Sequence, residues 1–130
     1  MHNKRMTSAI FITFSGNCKK ALTFYQDCFG GHLQFETFEN ELLALGETPV
    51  INGSLISDSI NIYGSDLVHD EGRKIGNHIS IYLNCENQQN RNALIKKLTR
   101  NELFPESLGN QHLVEVRDAF DVRWMLGVYF

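Results

Sequence analysis

The chain repeats one order of predicted elements: a strand, a helix and three strands, then the same order again about 70 residues later. Residues 9–65 form the first copy, residues 78–130 the second, and the polar segment 66–77 the predicted linker. One copy alone cannot bury both faces of its sheet, so the two copies are expected to pack as a single domain over residues 1–130. The repeat therefore predicts an α+β fold, in which two βαβββ modules form a curved mixed sheet around a cleft with the helices outside. Concave sheets of this kind are common ligand sites.

The first predicted helix has clear start and stop signals. Asn17 is a good N-cap, because its side chain can accept a hydrogen bond from a free backbone N–H of the first turn. Residues 18–29 then place apolar side chains at helical period. Gly30 and Gly31 end the pattern, since glycine tolerates the left-handed conformation that follows many helices.

The second predicted helix covers residues 88–100, with Glu86 and Asn87 where its cap would be. The strands are predicted from alternating or continuous apolar residues between polar turns. They cover residues 9–14, 32–38, 52–57, 59–64, 78–84, 111–117 and 122–130, and a further extended piece starts at residues 103–105.

Composition and charge exclude several classes of protein. Hydrophobic residues make up 42% of the chain and charged residues 21%, as in ordinary globular proteins. The net charge of −3 argues against a nucleic-acid partner, because such proteins need a basic patch to neutralise phosphates. No run approaches the roughly 18 apolar residues of a membrane helix, and the polar N-terminus is unlike a signal peptide. We therefore expect a cytoplasmic protein without a membrane partner.

The three cysteines do not suggest a disulfide framework. Cys18, Cys28 and Cys85 form no CxxC pair, and their number is odd. They are expected to be buried or half-buried thiols without a catalytic role.

Both ends and the middle of the chain resemble one superfamily. Residues 14–25, followed by Phe-Gly-Gly at 29–31, resemble the opening of the glyoxalase/bleomycin-resistance proteins, the vicinal-oxygen-chelate superfamily. The similarity is greatest to the PhnB-like branch, which opens with a strand, a Gly-Asn turn and an A-L-x-F-Y helix ending in F-G-G. Residues 118–126 resemble that branch's D-x-F-G-x-R-W ending, with Asp121 at the usual glycine, and Asp tolerates turn geometry. His78 resembles the histidine that opens the second half in this superfamily.

Enzymes of this superfamily typically hold a divalent cation with His, Gln or Glu side chains from four strands. The resemblance places those positions at Ile10, Asn61, His78 and Met125, with an uncertainty of about one residue at Ile10. Only His78 is a good ligand, since Asn61 is a weak neutral donor and a thioether binds hard cations poorly. A lone imidazole does not make a divalent site. We therefore expect no metal and no other cofactor, with His78 the ligand in the alternative that a divalent metal is bound.

The predicted ligand pocket centres on the second module. Ser80 and Tyr82 share the parity of His78 and should line one wall with it. His78 either faces the pocket, with a role in ligand contact or proton transfer, or bonds to a neighbouring backbone group. Tyr82 either stacks on a flat ligand or fills the cleft. Arg123 shares the parity of Met125, so it either favours an anionic ligand or forms a salt bridge at the sheet rim. The full predicted pocket comprises Ile10, Asn61, His78, Ser80, Tyr82, Arg123 and Met125.

Other residues with reactive side chains are expected to be structural. Trp124 should lie in the core. Asp118 and Asp121 are spaced like paired carboxylates but fit a hairpin turn. The His-Asp-Glu run at residues 69–71 has metal-binding residue types, but it lies in the predicted linker and should be a solvated loop.

Two functions follow from this pattern, and a third stays open. The first is a small-molecule-binding protein of the superfamily without its metal site, whose ligand is unknown. The alternative is a metal-dependent lyase, isomerase, dioxygenase or thiol transferase, which the resemblance alone implies. The third is a pocket filled by side chains, with action through a protein partner. The resemblance also implies a homodimer.

Overall fold

The computed structural model of this protein describes residues 6–37, 49–66, 74–104 and 112–128. The chain divides into two compact units, Met1–Arg73 and Lys74–Phe130. In the described part of each unit, one helix packs on a small mixed sheet. The predicted α+β class is therefore confirmed, and the single domain and the cleft stay predictions.

The first unit contains five described elements, and its helix covers one face of its sheet. The sheet order is β1-β4-β3-β2, with β1 parallel to β4 and the other neighbours antiparallel. The elements are β1 (Ile10–Thr13), α1 (Cys18–Phe29), β2 (His32–Thr37), β3 (Val50–Ile56) and β4 (Asn61–Ser65). The core between α1 and the sheet consists of Phe14, Cys18, Ala21, Leu22, Tyr25, Val50, Leu55 and Ile62.

The second unit repeats this plan with three described strands, in the order β5-β7-β6. Its elements are β5 (Ile81–Cys85), α2 (Gln88–Thr99), β6 (Leu113–Arg117) and β7 (Arg123–Val128). β5 is parallel to β7, and β6 is antiparallel to it. The apolar core comprises Ile95, Leu98, Val114, Val116, Trp124 and Leu126.

Two predicted strand starts in this unit are wrong. β5 begins at Ile81 rather than at residue 78, so His78 lies in a bend before the strand. The extended piece predicted from residue 103 begins instead with a turn, in which Leu103 is 88% exposed. The remainder of that segment, residues 105–110, lies outside the described residues.

The predicted Asn17 cap of α1 is also wrong, although the helix begins where predicted. The Asn17 backbone is not in the extended conformation of a capping residue, and its Oδ1 accepts no hydrogen bond within the described part of the chain. Asp66 at the end of β4 takes this role. Its Oδ1 accepts from the N–H groups of Gly16 and Cys18 at 2.9 and 3.0 Å, and its Oδ2 accepts from Val50 N–H at 2.9 Å.

The other helix boundaries confirm the predictions. The Asn87 side chain accepts from the N–H of Asn90 at 2.8 Å, with the extended backbone that a capping residue adopts. Gly30 and Gly31 follow α1 with φ of 74° and 103°, a region that glycine enters without strain. α2 ends at Thr99, one residue before the predicted end, and the capping residue Arg100 has a left-handed backbone with φ of 53°.

Neither helix in the described residues is long and apolar enough to cross a membrane. Each has 12 residues. At 1.5 Å per residue this gives about 18 Å, against about 30 Å of bilayer hydrocarbon.

Candidate functional site

Two predicted pocket residues lie in the first unit, on opposite faces of its sheet. Ile10 pairs with Ile62, which is buried on the helix side. Asn61 precedes Ile62 and so points to the other face, which we call the open face of the first sheet. Phe11, one residue from Ile10, also lies on the open face beside Tyr63, and these two rings are 62% and 42% exposed. Ile10 and Asn61 are therefore not brought together.

Asn61 has a structural partner in the turn between β3 and β4. Its Oδ1 accepts from the backbone N–H of Ser57 at 3.2 Å. The Ser57 hydroxyl donates to the carbonyl of Ile60 and accepts from its N–H. The amide oxygen of Asn61 therefore stabilises this turn.

His78 and Ser80 come before β5 rather than within it. His78 is exposed, and its Nδ1 would lie 3.4 Å from a methyl group placed on Gly76, so the ring lies beside the backbone two residues earlier. Ser80 is half-buried. The predicted wall of His78, Ser80 and Tyr82 depends on a strand that starts at residue 78, and only Tyr82 lies in the strand.

Tyr82 and Met125 do lie side by side. They are register partners in the parallel β5·β7 pair, and Met125 is also the partner of Glu115. On the other side of the sheet, where α2 packs, Trp124 and Leu126 of β7 are buried and the alternate residues of β5 are half-buried. We call the opposite surface the open face of the second sheet; it consists of Tyr82, Asn84, Leu113, Glu115, Arg117, Arg123, Met125 and Gly127.

Arg123 forms the salt bridge that was one of its two predicted roles. Its Nη1 lies 2.7 Å from Glu115 Oε1, and the two side chains are 21% and 42% exposed. Arg123 shares the face of Met125, and its register partner is Arg117, which is exposed. This end of the open face therefore has two arginines and one glutamate.

The Tyr82 ring lies across Gly127. A methyl group on Gly127 would come within 2.8 Å of the Tyr82 hydroxyl oxygen and 3.4 Å of its Cε2. The same methyl would lie 3.3 Å from Leu113 Cδ2. Tyr82 is nevertheless 50% exposed, and Leu113 is 46% exposed. Because Gly127 has no side chain, the Tyr82 ring packs on the strand and is still half exposed. The alternation of residues along the strand does not predict this contact between Tyr82 and Gly127.

Trp124 is a core residue, as predicted, and the two aspartates belong to the turn before β7. Asp118 is 5% exposed, and its Oδ2 accepts from Trp124 Nε1 at 2.8 Å. Its Oδ1 accepts from the N–H groups of Phe120 and Val122 at 2.7 and 3.1 Å. Asp121 is exposed with φ of 66°. The bond between Asp118 and the indole was not predicted.

The cysteines are free thiols, buried at Cys18 and half-buried at Cys28 and Cys85, which confirms the prediction for them. Burial, and then the charge of Asp66, raise the pKa of Cys18 to about 12. Burial also raises the pKa of Cys85, and the positive charge of Arg91 opposes this. Neither environment favours the thiolate that a nucleophile requires.

The side chains at the superfamily's ligand positions do not fit a divalent cation. Ile10 has no donor atom and faces the helix, and Asn61 Oδ1 bonds to a turn N–H. His78 precedes its strand, and Met125 offers a thioether. Across residues 6–37, 49–66, 74–104 and 112–128, no three His, Cys, Asp or Glu side chains converge. The run at residues 69–71 lies outside these ranges.

Solved structures identify the fold. The PhnB protein from Bacillus cereus matches with a TM-score of 0.70 at 19% identity, over 95% of this chain and 100% of that chain. Protein PA1353 from Pseudomonas aeruginosa matches with a TM-score of 0.69 at 19% identity, over 95% and 98%. This chain has a PhnB-like fold.

A gene product from Arabidopsis thaliana shares the PhnB-like fold with a TM-score of 0.58 at 16% identity, over 95% of this chain and 99% of that chain. No protein-family model and no curated protein matches the sequence. The PhnB-like fold is of the glyoxalase/bleomycin-resistance type, so the fold that the resemblance implied is confirmed. At these identities the match concerns the fold alone.

Proposed function

We propose that this chain is a small-molecule-binding protein of the glyoxalase/bleomycin-resistance superfamily. The supporting observation is the open face of the second sheet. Tyr82 and Leu113 are half exposed there and flank Gly127, with Met125 beside them. Asn84 provides an amide next to this apolar centre. Ligand sites typically combine apolar and aromatic walls with a few placed polar groups, as this face does.

We propose further that binding needs no divalent metal. The support is the donor set: an alkyl group, a turn-bound amide, an exposed histidine before a strand and a thioether. Nothing in this set favours tight binding of a hard cation.

The metal test follows the thermal unfolding of chelator-treated protein after addition of Zn²⁺, Ni²⁺ or Mn²⁺. Ligands that bind only the folded state raise Tm, so we expect no change with any of the three. His78→Ala should unfold at the same temperature with and without metal, as should the control variant His32→Ala at another exposed histidine. A rise of several degrees that His78→Ala abolishes and His32→Ala keeps would contradict the proposal and favour a metal-dependent lyase, isomerase, dioxygenase or thiol transferase.

The binding test is native mass spectrometry of the protein as purified. We expect part of the population to have a bound small molecule that is released on denaturation. Tyr82→Leu should reduce that part, whereas Tyr63→Leu, a matched change on the open face of the first sheet, should not. Equal retention in both variants would contradict the placement on the second sheet.

We also propose a homodimer, on the resemblance alone. Light scattering should then give twice the 14.9 kDa of one chain. A mass near one chain would contradict this.

A further inference from the structure

The open face of the second sheet combines one half-exposed ring with an excess of positive charge. We infer that its ligand is a planar aromatic anion, with Tyr82 stacking on the aromatic part and the arginine end of the face attracting the anionic group. This inference rests on the proposed function and names the ligand class for the same site.

The position of the Tyr82 ring, which we propose as the stacking surface, depends on Gly127. Any larger residue there would place a Cβ within 2.8 Å of the Tyr82 hydroxyl, and the ring would have to move. With glycine, the hydroxyl end of the ring packs on β7, and Tyr82 stays 50% exposed. A ring that is held in place loses little freedom when a flat molecule stacks on it. An aliphatic cage of equal volume would touch less of this surface.

The charge on the face is not balanced. Glu115 neutralises Arg123 through the 2.7 Å contact between them. Arg117, opposite Arg123 in the register, is exposed and forms no ion pair within the described part of the chain. The three charged side chains of this face therefore sum to one positive charge, which is complementary to a monoanion.

The two parts of the proposed site lie along the same strand. Gly127 and Arg123 are four residues apart on β7, which is about 13 Å at roughly 3.3 Å per residue. The Arg123 guanidinium points towards Glu115, the partner of Met125 in the middle of this interval. The Tyr82 ring beside Gly127 and the arginine end thus share one face of the sheet, with the backbone position of Met125 between Gly127 and Arg123.

The test is calorimetric titration of the full chain with three probes: naphthoate, its neutral analogue naphthamide, and adamantanecarboxylate, which has the charge without the flat ring. Naphthoate should bind about fivefold or more tightly than either of the others. Tyr82→Leu should weaken both naphthalene probes about tenfold and leave adamantanecarboxylate within about twofold. Arg117→Gln should weaken the two carboxylates about threefold and leave naphthamide unchanged.

Three further variants separate the effects of charge, of the aromatic ring and of its position. Lys97→Gln removes a positive charge from α2, on the other side of the sheet, and should change no affinity. Tyr82→Phe keeps the ring and should recover most of the naphthoate affinity that Tyr82→Leu loses. Gly127→Ala displaces the ring without removing it, so it should weaken the binding of naphthoate but not that of adamantanecarboxylate. This variant provides a second test if Tyr82→Leu does not fold.

Failure of the inference differs from failure of the proposed function. Equal binding of adamantanecarboxylate and naphthoate, or naphthoate binding that Tyr82→Leu does not affect, would overturn the planar aromatic class while leaving a small-molecule site. Equal binding of naphthoate and naphthamide would overturn the anionic class. Binding of no probe, together with an empty mass spectrum of the purified protein, would overturn the proposed function itself.

Discussion

The two units place equivalent residues on their open faces but build different surfaces with them. Phe11 and Tyr63 are register partners in the parallel strand pair of the first unit. Tyr82 and Met125 hold the same places in the second. The first pair is two rings, whereas the second is one ring beside a flexible thioether, which adapts to irregular shapes.

Glycines account for much of this difference. In the first sheet, Gly53 and Gly64 face the helix, where an added methyl would lie 2.7 Å from Leu22 Cδ1 and 3.0 Å from Cys18 Sγ, respectively. In the second sheet, Gly127 lies on the open face beneath Tyr82. The glycines of the first sheet therefore let α1 pack close to the strands, whereas Gly127 in the second sheet lets the Tyr82 ring pack on β7.

Among the described residues, each unit has a carboxylate that accepts three hydrogen bonds. Asp118 in the second unit binds two backbone N–H groups and the indole of Trp124, all within its own turn and the following strand. Asp66 in the first unit binds three backbone N–H groups from two distant segments. One carboxylate stabilises a local turn, and the other holds a strand end, a turn and a helix start together.

Replacing Asp118 should have the largest effect on stability. Asp118→Ala removes three charge-assisted bonds and leaves a buried indole N–H without its acceptor, so we expect a loss of roughly 3 kcal/mol in the free energy of unfolding. Urea denaturation measures it. Asp121→Asn, at an exposed position in the same turn whose left-handed backbone Asn tolerates, is the control and should change stability by less than about 0.5 kcal/mol. Equal losses in both variants would show that the turn, not the carboxylate, determines stability.

Replacing the helix-capping residues Asp66 and Asn87 should have the next largest effects on stability. Asp66→Ala removes acceptors for three N–H groups and should cost roughly 2 kcal/mol. Asn87→Ala removes one local cap bond and should cost about 1 kcal/mol. The same denaturation experiment compares them, with Asn17→Ala as a further check. The Asn17 side chain makes no capping hydrogen bond within the described residues, so little change is expected. A larger loss of stability for Asn17→Ala than for Asp66→Ala would favour the predicted cap at Asn17 over the cap by Asp66.

These caps show what sequence reasoning could and could not find in the fold. The range predicted for α1 is the observed one, because apolar period and the Gly-Gly stop are local signals. Asn87 was found for the same reason. Asp66 was missed because it lies 48 residues from Cys18 in sequence, and only the β1·β4 pairing brings them together. Local patterns locate an element, but they do not reveal which distant residue completes its end.

The candidate site shows the same limit. Alternation along one strand correctly placed Arg123 and Met125 on one face. It could not tell which residue of β4 stands beside Ile10. The resemblance groups Ile10 with Asn61, and in the structure these two residues face opposite ways. The contact of Tyr82 with Gly127 likewise depends on the register between two strands.

Alanine substitutions at Gly64 and Gly127 test whether the two sheets are packed equally tightly at their glycines. Gly64→Ala would bring Cβ within 2.9 Å of Phe14 Cε2 and 3.0 Å of Cys18 Sγ, both fully buried, so overpacking should cost about 1.5 kcal/mol. Gly127→Ala meets the half-exposed Tyr82, which can turn towards solvent, so the loss should be smaller, about 0.5 kcal/mol. Thermal unfolding compares the two. A greater loss for Gly127→Ala would mean that the ring is as firmly packed as the helix.

A further effect on stability depends on pH and concerns Cys18 at alkaline pH. An unfolded thiol loses its proton near pH 9.0, whereas Cys18 in the folded chain keeps it until about 12. The folded state thus binds the extra proton, and the stability that is fully present below pH 9 is lost as the pH rises from there towards 12. At about pH 9.5 the loss should be about 0.8 kcal/mol, and Cys18→Ala should reduce the alkaline decline by that amount. Cys85→Ala should reduce it less, because the positive charge of Arg91 opposes the effect of burial there whereas the charge of Asp66 adds to it at Cys18. Urea midpoints at neutral pH and about pH 9.5 provide the measurement. Equal declines in wild type and Cys18→Ala would show that burial and the charge of Asp66 do not raise the pKa of this thiol.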